Sequence, residues 1–142
     1  MLDFYNVDDK YTAFLQAVDK KIPLINYAAY DKFLCGTVLS IGNHHYYVPI
    51  SSNKTPYQTS LIVKDTNETP LASLRFCFMF PATNRILTQI SIPDMQQSDP
   101  QYAALLQKEW DFCRANEASI MRKAKQIYKI GCNPNHPLYY TC

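Results

Sequence analysis

Lys32, Ser51, Ser52 and Lys54 carry the residue types and the spacing that phosphodiester chemistry needs. The stretch between them, Phe33 to Ile50, reads as a β-hairpin. Its Gly42-Asn43 pair suits a two-residue turn, because both residues tolerate the positive φ such turns need. Hairpin strands run antiparallel, so the residue entering the first lies beside the residues leaving the second. That geometry brings Lys32 to Ser51, Ser52 and Lys54. Two cations and two hydroxyls at one sheet end suit a phosphodiester far better than a protein core. Taken singly, each has a plainer reading: serines after a strand form turns, and a strand-end lysine is a solvated edge charge. Their convergence is what points to a site.

Further cations lie toward the other end of the chain. No acidic residue follows Glu117, whereas Arg122, Lys123, Lys125 and Lys129 do, together with Tyr128, His136, Tyr139 and Tyr140. Cations track phosphates and flat rings stack bases, so this stretch suits single-stranded nucleic acid. On composition alone it is equally a solvated helix face followed by a packed tail. Lys108, Arg114 and the rings of Tyr11, Tyr30 and Tyr57 complete the candidate nucleic-acid-contacting set. His44 and His45 sit beside the turn, far from the lysines, and read as surface residues. Trp110 falls in a helical apolar stripe and reads as core.

The elements that must position these groups follow from periodicity. Leu2 to Val7 reads as an edge strand. Asp8 or Asp9 can cap a helix with Tyr11, Phe14, Leu15 and Val18 on one face, and Pro23 prevents its easy continuation. After the hairpin come a strand near Leu61–Val63, a turn at Asp65-Thr66-Asn67, and a long apolar strand from Leu71 to Phe80. Arg85 to Ile92 alternates as a half-buried strand should. Ser98 or Asp99 then caps a helix, with Pro100 in its tolerant first turn and Tyr102, Leu105, Leu106, Trp110 and Cys113 as its stripe. Asn116 interrupts it, and a second helix runs through Ile120, Ala124, Ile127 and Tyr128 to Gly131. The fold class expected is α+β: a small, strongly bent antiparallel sheet, barrel-like, with packed helices.

Composition narrows the classes. At 142 residues the chain suits one domain, 1–142, with a core that needs no staples. It is 47% hydrophobic and 18% charged with a net charge of +2, as ordinary globular proteins are. No apolar run approaches the ~20 residues of a membrane span, and the first residues lack the pattern of a signal peptide. Five cysteines without a Cys-x-x-Cys pair argue against a zinc knuckle and against a disulfide framework. The expectation is a cytoplasmic protein with no metal site.

The ordered residues of the hairpin (Lys32-Phe33, Gly36, Val38-Leu39, Ile41, His45, Tyr47, Pro49-Ile50-Ser51-Ser52, Lys54) resemble the hairpin of the ToxN/AbiQ family. Those are endoribonuclease toxins of type III toxin–antitoxin systems, whose antitoxin is an RNA. Phe4-Tyr5 with Lys10-Tyr11 and Phe14-Leu15 is similar to the family's first strand and helix. Phe78-Met79 with Pro81, and Phe112 with Arg114-Ala115-Asn116, match a later strand end and the long helix. The similarity spans nearly the whole chain, which is shorter than many members and fits the CptN branch. Many relatives carry threonine then serine where this chain has Ser51-Ser52, which leaves open which hydroxyl matters most. The family's aromatic residue before the first lysine corresponds to Tyr27 or Tyr30.

The resemblance implies a barrel similar to MazF/Kid-like toxins and a metal-independent RNA cleavage that uses the substrate's own 2′-hydroxyl, with no cofactor. Lys54 would hold the scissile phosphate, Ser51 and Ser52 would hydrogen-bond it, and Lys32, with its pKa pushed down, would help transfer a proton. The products would be a 2′,3′-cyclic phosphate and a 5′-hydroxyl. The partners implied are target mRNA and a folded repeat RNA antitoxin, a pseudoknot, in a closed toxin–RNA assembly serving phage defence. Lys108, Arg114, Arg122, Lys123 and Lys125 would meet that RNA. A non-catalytic RNA-binding barrel would use the same surface without needing Lys32, Ser51 and Lys54 together. A serine–lysine amide hydrolase would need an oxyanion hole near glycine, and none of the three glycines adjoins Ser51.

Overall fold

The computed structural model describes residues 2–18 and 33–139. Seven strands and four α-helices follow one another along them. The strands are β1 (Asp3–Val7), β2 (Leu34–Ile41), β3 (His44–Ser51), β4 (Ser60–Lys64), β5 (Pro70–Arg75), β6 (Phe80–Ala82) and β7 (Leu87–Gln89). Helix α1 (Asp9–Val18) follows β1, and α2 (Ile92–Ser98), α3 (Pro100–Ala115) and α4 (Glu117–Gly131) follow β7. None of these helices is long and apolar enough to cross a membrane.

Every strand pairing is antiparallel, in the order β4-β5-β3-β2-β1-β7, with β6 also on β3. The two ends of that order are different strands, so the sheet is open. This is the antiparallel α+β sheet with packed helices that was expected, and it does not close into a barrel. β1 is an inner strand between β2 and β7, not an edge. The long strand expected over Leu71–Phe80 is broken by a 3₁₀ turn at Phe76–Phe78. β3 explains the break, because it changes partner part-way: His45–Tyr47 pair with β6 and Ile50–Ser51 with β5. Arg85–Ile92 is likewise not one strand. Only Leu87–Gln89 pair, and Ile92 opens α2, with the Ser91 hydroxyl accepting from the Asp94 amide at 3.4 Å.

Alternation along the strands supplies two apolar faces. On one, Phe4, Phe33, Cys35, Val48, Ile50 and Leu74 pack with Leu106, Cys113, Ile120, Ala124 and Ile127 of α3 and α4. On the other, Leu34, Tyr47 and Phe80 gather with Tyr5, Tyr11 and Leu15. Phe14 and Val18, expected on the buried stripe of α1, are 63% and 78% exposed. The Asp8 carboxylate caps that helix by accepting from the Lys10 amide at 2.7 Å. Gly36 is needed where it stands, since a Cβ there would overlap the ring of Tyr47. At the hairpin tip only Gly42 has a positive φ, of 58°, so glycine alone supplies the turn's special conformation.

Helix α3 begins as expected, with the Asp99 carboxylate accepting from the Tyr102 amide at 3.1 Å. Asn116 ends it, its side-chain amide donating to the Phe112 carbonyl at 2.8 Å. Leu105 is 36% exposed, and the buried line runs instead through Ala103, Leu106, Glu109 and Cys113. Cys35, Cys113 and Cys132 are free thiols. A hydrogen bond with Cys113, then burial, pushes the Cys35 thiol well up, so it stays protonated. Cys77 is disulfide-bonded.

Candidate functional site

Three of the four residues singled out for phosphodiester chemistry lie together where β3 ends: half-buried Ser51 closes the strand, and Ser52 and Lys54 follow in an exposed loop. Lys32 lies outside the described residues, as do Tyr27 and Tyr30. Its described neighbour, Phe33, accepts a hydrogen bond at its carbonyl from the Ile50 amide at 3.1 Å. The chain therefore enters the hairpin directly opposite the point where Ser51 leaves it. Leu34 opposite Pro49 continues the same register inward.

The loop is fixed by its own polar groups. Ser51 Oγ accepts from the Asn53 amide at 3.1 Å, and Asn53 Oδ1 accepts from the Thr55 amide at 2.9 Å. These small rings turn the chain away from the sheet, as Ser and Asn do where a strand ends. Ser73 sits opposite Ser51 on β5 and is fully buried. Its hydroxyl donates to the Asn53 carbonyl at 2.5 Å, tying the loop to the neighbouring strand. Ser52 and Lys54 project from this frame and are exposed. Among the described residues no carboxylate pairs with Lys54. An unpaired ammonium beside two hydroxyls on a pinned loop can receive a phosphate without first breaking a salt bridge.

Ser73 is thus a positioning residue that residue type alone did not disclose. Ser73→Ala will leave the Asn53 carbonyl without its partner, loosening the loop. We expect about 1 kcal/mol of lost stability and a roughly tenfold fall in kcat of RNA cleavage, since a small misplacement of catalytic groups is costly. Ser73→Thr, which keeps the hydroxyl, should restore much of the rate. Thermal melts and single-turnover kinetics on one RNA check both effects.

The candidate RNA-contacting residues separate into two groups. Tyr57 adjoins the loop and is 45% exposed. Lys123 reaches it from α4, its ammonium donating to the Gln58 carbonyl at 2.6 Å. Arg122 and Lys125 are exposed on the same helix, Arg122 bonding the Ser119 hydroxyl at 3.2 Å. Lys108 lines a cavity of about 370 Å³ with Lys64, Asp111 and Phe112. The other two are engaged internally. Arg114 forms an ion pair with Asp3 at 2.8 Å and lies over the Trp110 ring at 4.3 Å. Its charge is already balanced by Asp3, so of the described candidate cations it is the one held by a carboxylate. Tyr11 donates its hydroxyl to the Pro81 carbonyl at 2.7 Å, and burial raises its pKa. It packs in the smaller core rather than on an open surface.

The remaining candidates keep their plainer roles. His45 shares a hydrogen bond with Ser40 at 2.8 Å near the hairpin tip, and His44 is exposed there. His136 Nδ1 accepts from the Leu138 amide at 3.1 Å and so shapes the tail. Trp110 donates its indole N–H to Asp3 at 3.3 Å and packs at the edge of the main core. The sequence reading missed Arg75, whose guanidinium lies over the rings of Tyr57 at 4.8 Å and Phe78 at 5.1 Å.

Residues 3–142 match the family model described as toxin ToxN of a type III toxin–antitoxin system. An Endoribonuclease ToxN from Bacillus thuringiensis subsp. kurstaki is 26% identical over 139 residues, covering 94% of this chain and 72% of that protein. Another Endoribonuclease ToxN, from Pectobacterium atrosepticum, is 26% identical over 143 residues, covering 91% of this chain and 81% of that one. Two solved structures share the fold. One, from work on selective toxin inhibition by a non-coding RNA pseudoknot, superposes with a TM-score of 0.89 at 24% identity, covering 96% of this chain and 83% of that chain. The other, AbiQ, a lactococcal anti-phage endoribonuclease, gives 0.82 at 20% identity, covering 99% and 88%. The match over almost the full chain, on a sheet whose β3 ends in the Ser51–Lys54 loop, makes this protein a member of the ToxN family of type III toxin–antitoxin systems.

Proposed function

We propose that the protein is a metal-independent endoribonuclease toxin that cuts single-stranded RNA at particular sequences and is inhibited by its own repeat RNA. The observation that carries this reading is the pinned loop leaving β3, with Lys54, unpaired among the described residues, beside two serines, opposite the entry of the hairpin. RNA brings its nucleophile with it. The 2′-oxygen attacks phosphorus as its proton leaves, the bond to the 5′-oxygen breaks, and that oxygen takes up a proton. A 2′,3′-cyclic phosphate and a 5′-hydroxyl result. The protein needs only to align the strand, stabilise the crowded phosphate and move protons.

Roles follow from chemistry. Lys54 balances charge on the non-bridging oxygens, and Ser51 with Ser52 donates to the same phosphate. Ser51 already accepts from the Asn53 amide, which leaves its own proton for the substrate. Lys32 is assigned to proton transfer from its place one residue before Phe33. The antitoxin is proposed to be a folded repeat RNA whose processed ends occupy this loop and whose body lies on Lys108, Arg122, Lys123 and Lys125. Alternation of protein and RNA would close into a ring, since a head-to-tail contact whose rotation closes gives a finite assembly. The named relatives support the reaction class, both being called endoribonucleases.

The experiment is to incubate a mixed-sequence RNA with purified protein in excess EDTA and analyse the new ends. Cleavage leaving cyclic phosphate and 5′-hydroxyl ends is expected. RNA that is bound yet stays whole under every divalent-ion condition would support a non-catalytic RNA-binding protein instead. Cleavage that EDTA abolishes and magnesium restores would remove the metal-independent mechanism.

A further inference from the structure

We propose that Arg75, clasped between Tyr57 and Phe78, is a phosphate-binding residue for the stretch of RNA next to the Ser51–Lys54 loop. The proposal rests on the nuclease reading above and adds a contact that the family resemblance did not supply. The guanidinium lies over the Tyr57 ring at 4.8 Å and over the Phe78 ring at 5.1 Å. Stacking of this kind restrains a side chain that otherwise has many rotamers, so less freedom is lost when it binds. Its N–H groups form a fork that matches two phosphate oxygens. Among the described residues no carboxylate pairs with Arg75, unlike Arg114, whose charge Asp3 neutralises.

The surroundings tie this side chain to the segment that follows Lys54. Arg75 is the register partner of Ser60, and the Ser60 hydroxyl donates to the Tyr57 carbonyl at 3.3 Å. The guanidinium is therefore carried by the end of β5, and the ring by the loop that leads into its paired strand β4. The ammonium of Lys123 holds Gln58, the next residue after Tyr57, and has two further protons to donate. One short segment, residues 51–60, thus has Lys54 at one end and Arg75 with Lys123 near the other. Tyr57 is 45% exposed and offers a ring face to a base while its neighbour holds the phosphate. That combination favours a nucleic-acid strand over an acidic peptide, which has no use for the ring.

The test measures retention of a mixed-sequence 2′-O-methyl RNA 20-mer, which has no free nucleophile, across a salt series. Arg75→Ala is expected to weaken binding about tenfold at low salt. The slope of log affinity against log salt should become shallower by ~0.7, the loss of one single-strand phosphate contact. Arg75→Lys should keep the slope near that of the wild type while binding several-fold less tightly, and Tyr57→Ala should also weaken binding several-fold. If Arg75→Ala does not fold, Arg75→Gln supplies the same reading with a neutral side chain of similar reach. A folded neutral variant with wild-type affinity and slope overturns the assignment of Arg75 and leaves the nuclease reading intact. A wild type that fails to retain this RNA, and fails to cut unmodified RNA, removes both.

Discussion

Lys54→Ala will slow RNA cleavage by about 10²–10³-fold while leaving the melting temperature nearly unchanged, because a charge-stabilising donor at a reacting phosphate is worth that much. The structure accounts for the unchanged melting temperature. Lys54 is exposed and makes no ion pair among the described residues, so its removal costs the fold little. The loop that carries it is held by Ser51, Asn53 and Ser73, none of which changes in the variant. Lys54→Arg keeps the charge but moves it, and an intermediate rate should result. Single-turnover rates at saturating protein separate this chemical loss from weakened binding. A fall seen only in affinity would make Lys54 a binding residue, and an unchanged rate would remove it from the site.

The second large effect concerns stability. Glu109 lies in the buried line of α3, 3% exposed, and its Oε2 has no hydrogen-bond partner among the described residues. Burial raises its pKa from 4.5 to about 7. The folded chain therefore keeps a proton that the unfolded chain has already released. With more protons bound in the folded state, stability falls as pH rises from about 4.5 to about 7, and is level beyond. A shift of this size corresponds to roughly 3 kcal/mol. Glu109→Gln cannot titrate, so its stability should stay flat through that window. At pH 8 it should exceed the wild type by roughly 2–3 kcal/mol, and near pH 5 the two should agree within about 1 kcal/mol. Urea melts at several pH values measure this directly. Parallel pH profiles for the two proteins would show that Glu109 carries its charge without penalty.

The hairpin was the most legible part of the fold. The Gly42-Asn43 tip marked the turn between two apolar runs, and the pairing that follows, despite an irregularity between Gly36 and Leu39, sets Ser51 opposite the hairpin's entrance. The helix boundaries at Asp99-Pro100 and Asn116 were legible for the same reason, since capping is local. What failed was non-local. The apolar run Leu71–Phe80 has no glycine or proline to break it, and only the change of partner along β3 makes it turn at Phe76. Ser91 and Pro93 are helix-start residues, but the alternating isoleucines before them concealed α2.

The site was legible in its convergent residues and not in their support. Ser51, Ser52 and Lys54 stand out because their types are unusual together at a strand end. Ser73 is a lone serine in an apolar strand, and only the register opposite Ser51 gives it a task. Arg75 gains its meaning from Phe78 and Tyr57, and Tyr57 lies on the far side of the β4–β5 pair in sequence. Arg114 shows the same limit from the other side: its ion-pair partner, Asp3, lies at the other end of the chain and could not be read from the helix. Glu109 escaped notice because periodicity counts apolar residues, and it is a carboxylate on an apolar line.

The most direct test of the central claim is to remove the oxygen that the protein is said to exploit. A single 2′-deoxy nucleotide placed at the mapped cleavage position should still be bound, and should leave that bond uncut even after prolonged incubation in EDTA. The matched all-ribose strand should be cut there and end in a cyclic phosphate. Cleavage of the deoxy-substituted bond at a comparable rate would mean that water or a protein side chain is the nucleophile, and the mechanism proposed for the Ser51–Lys54 loop would be wrong.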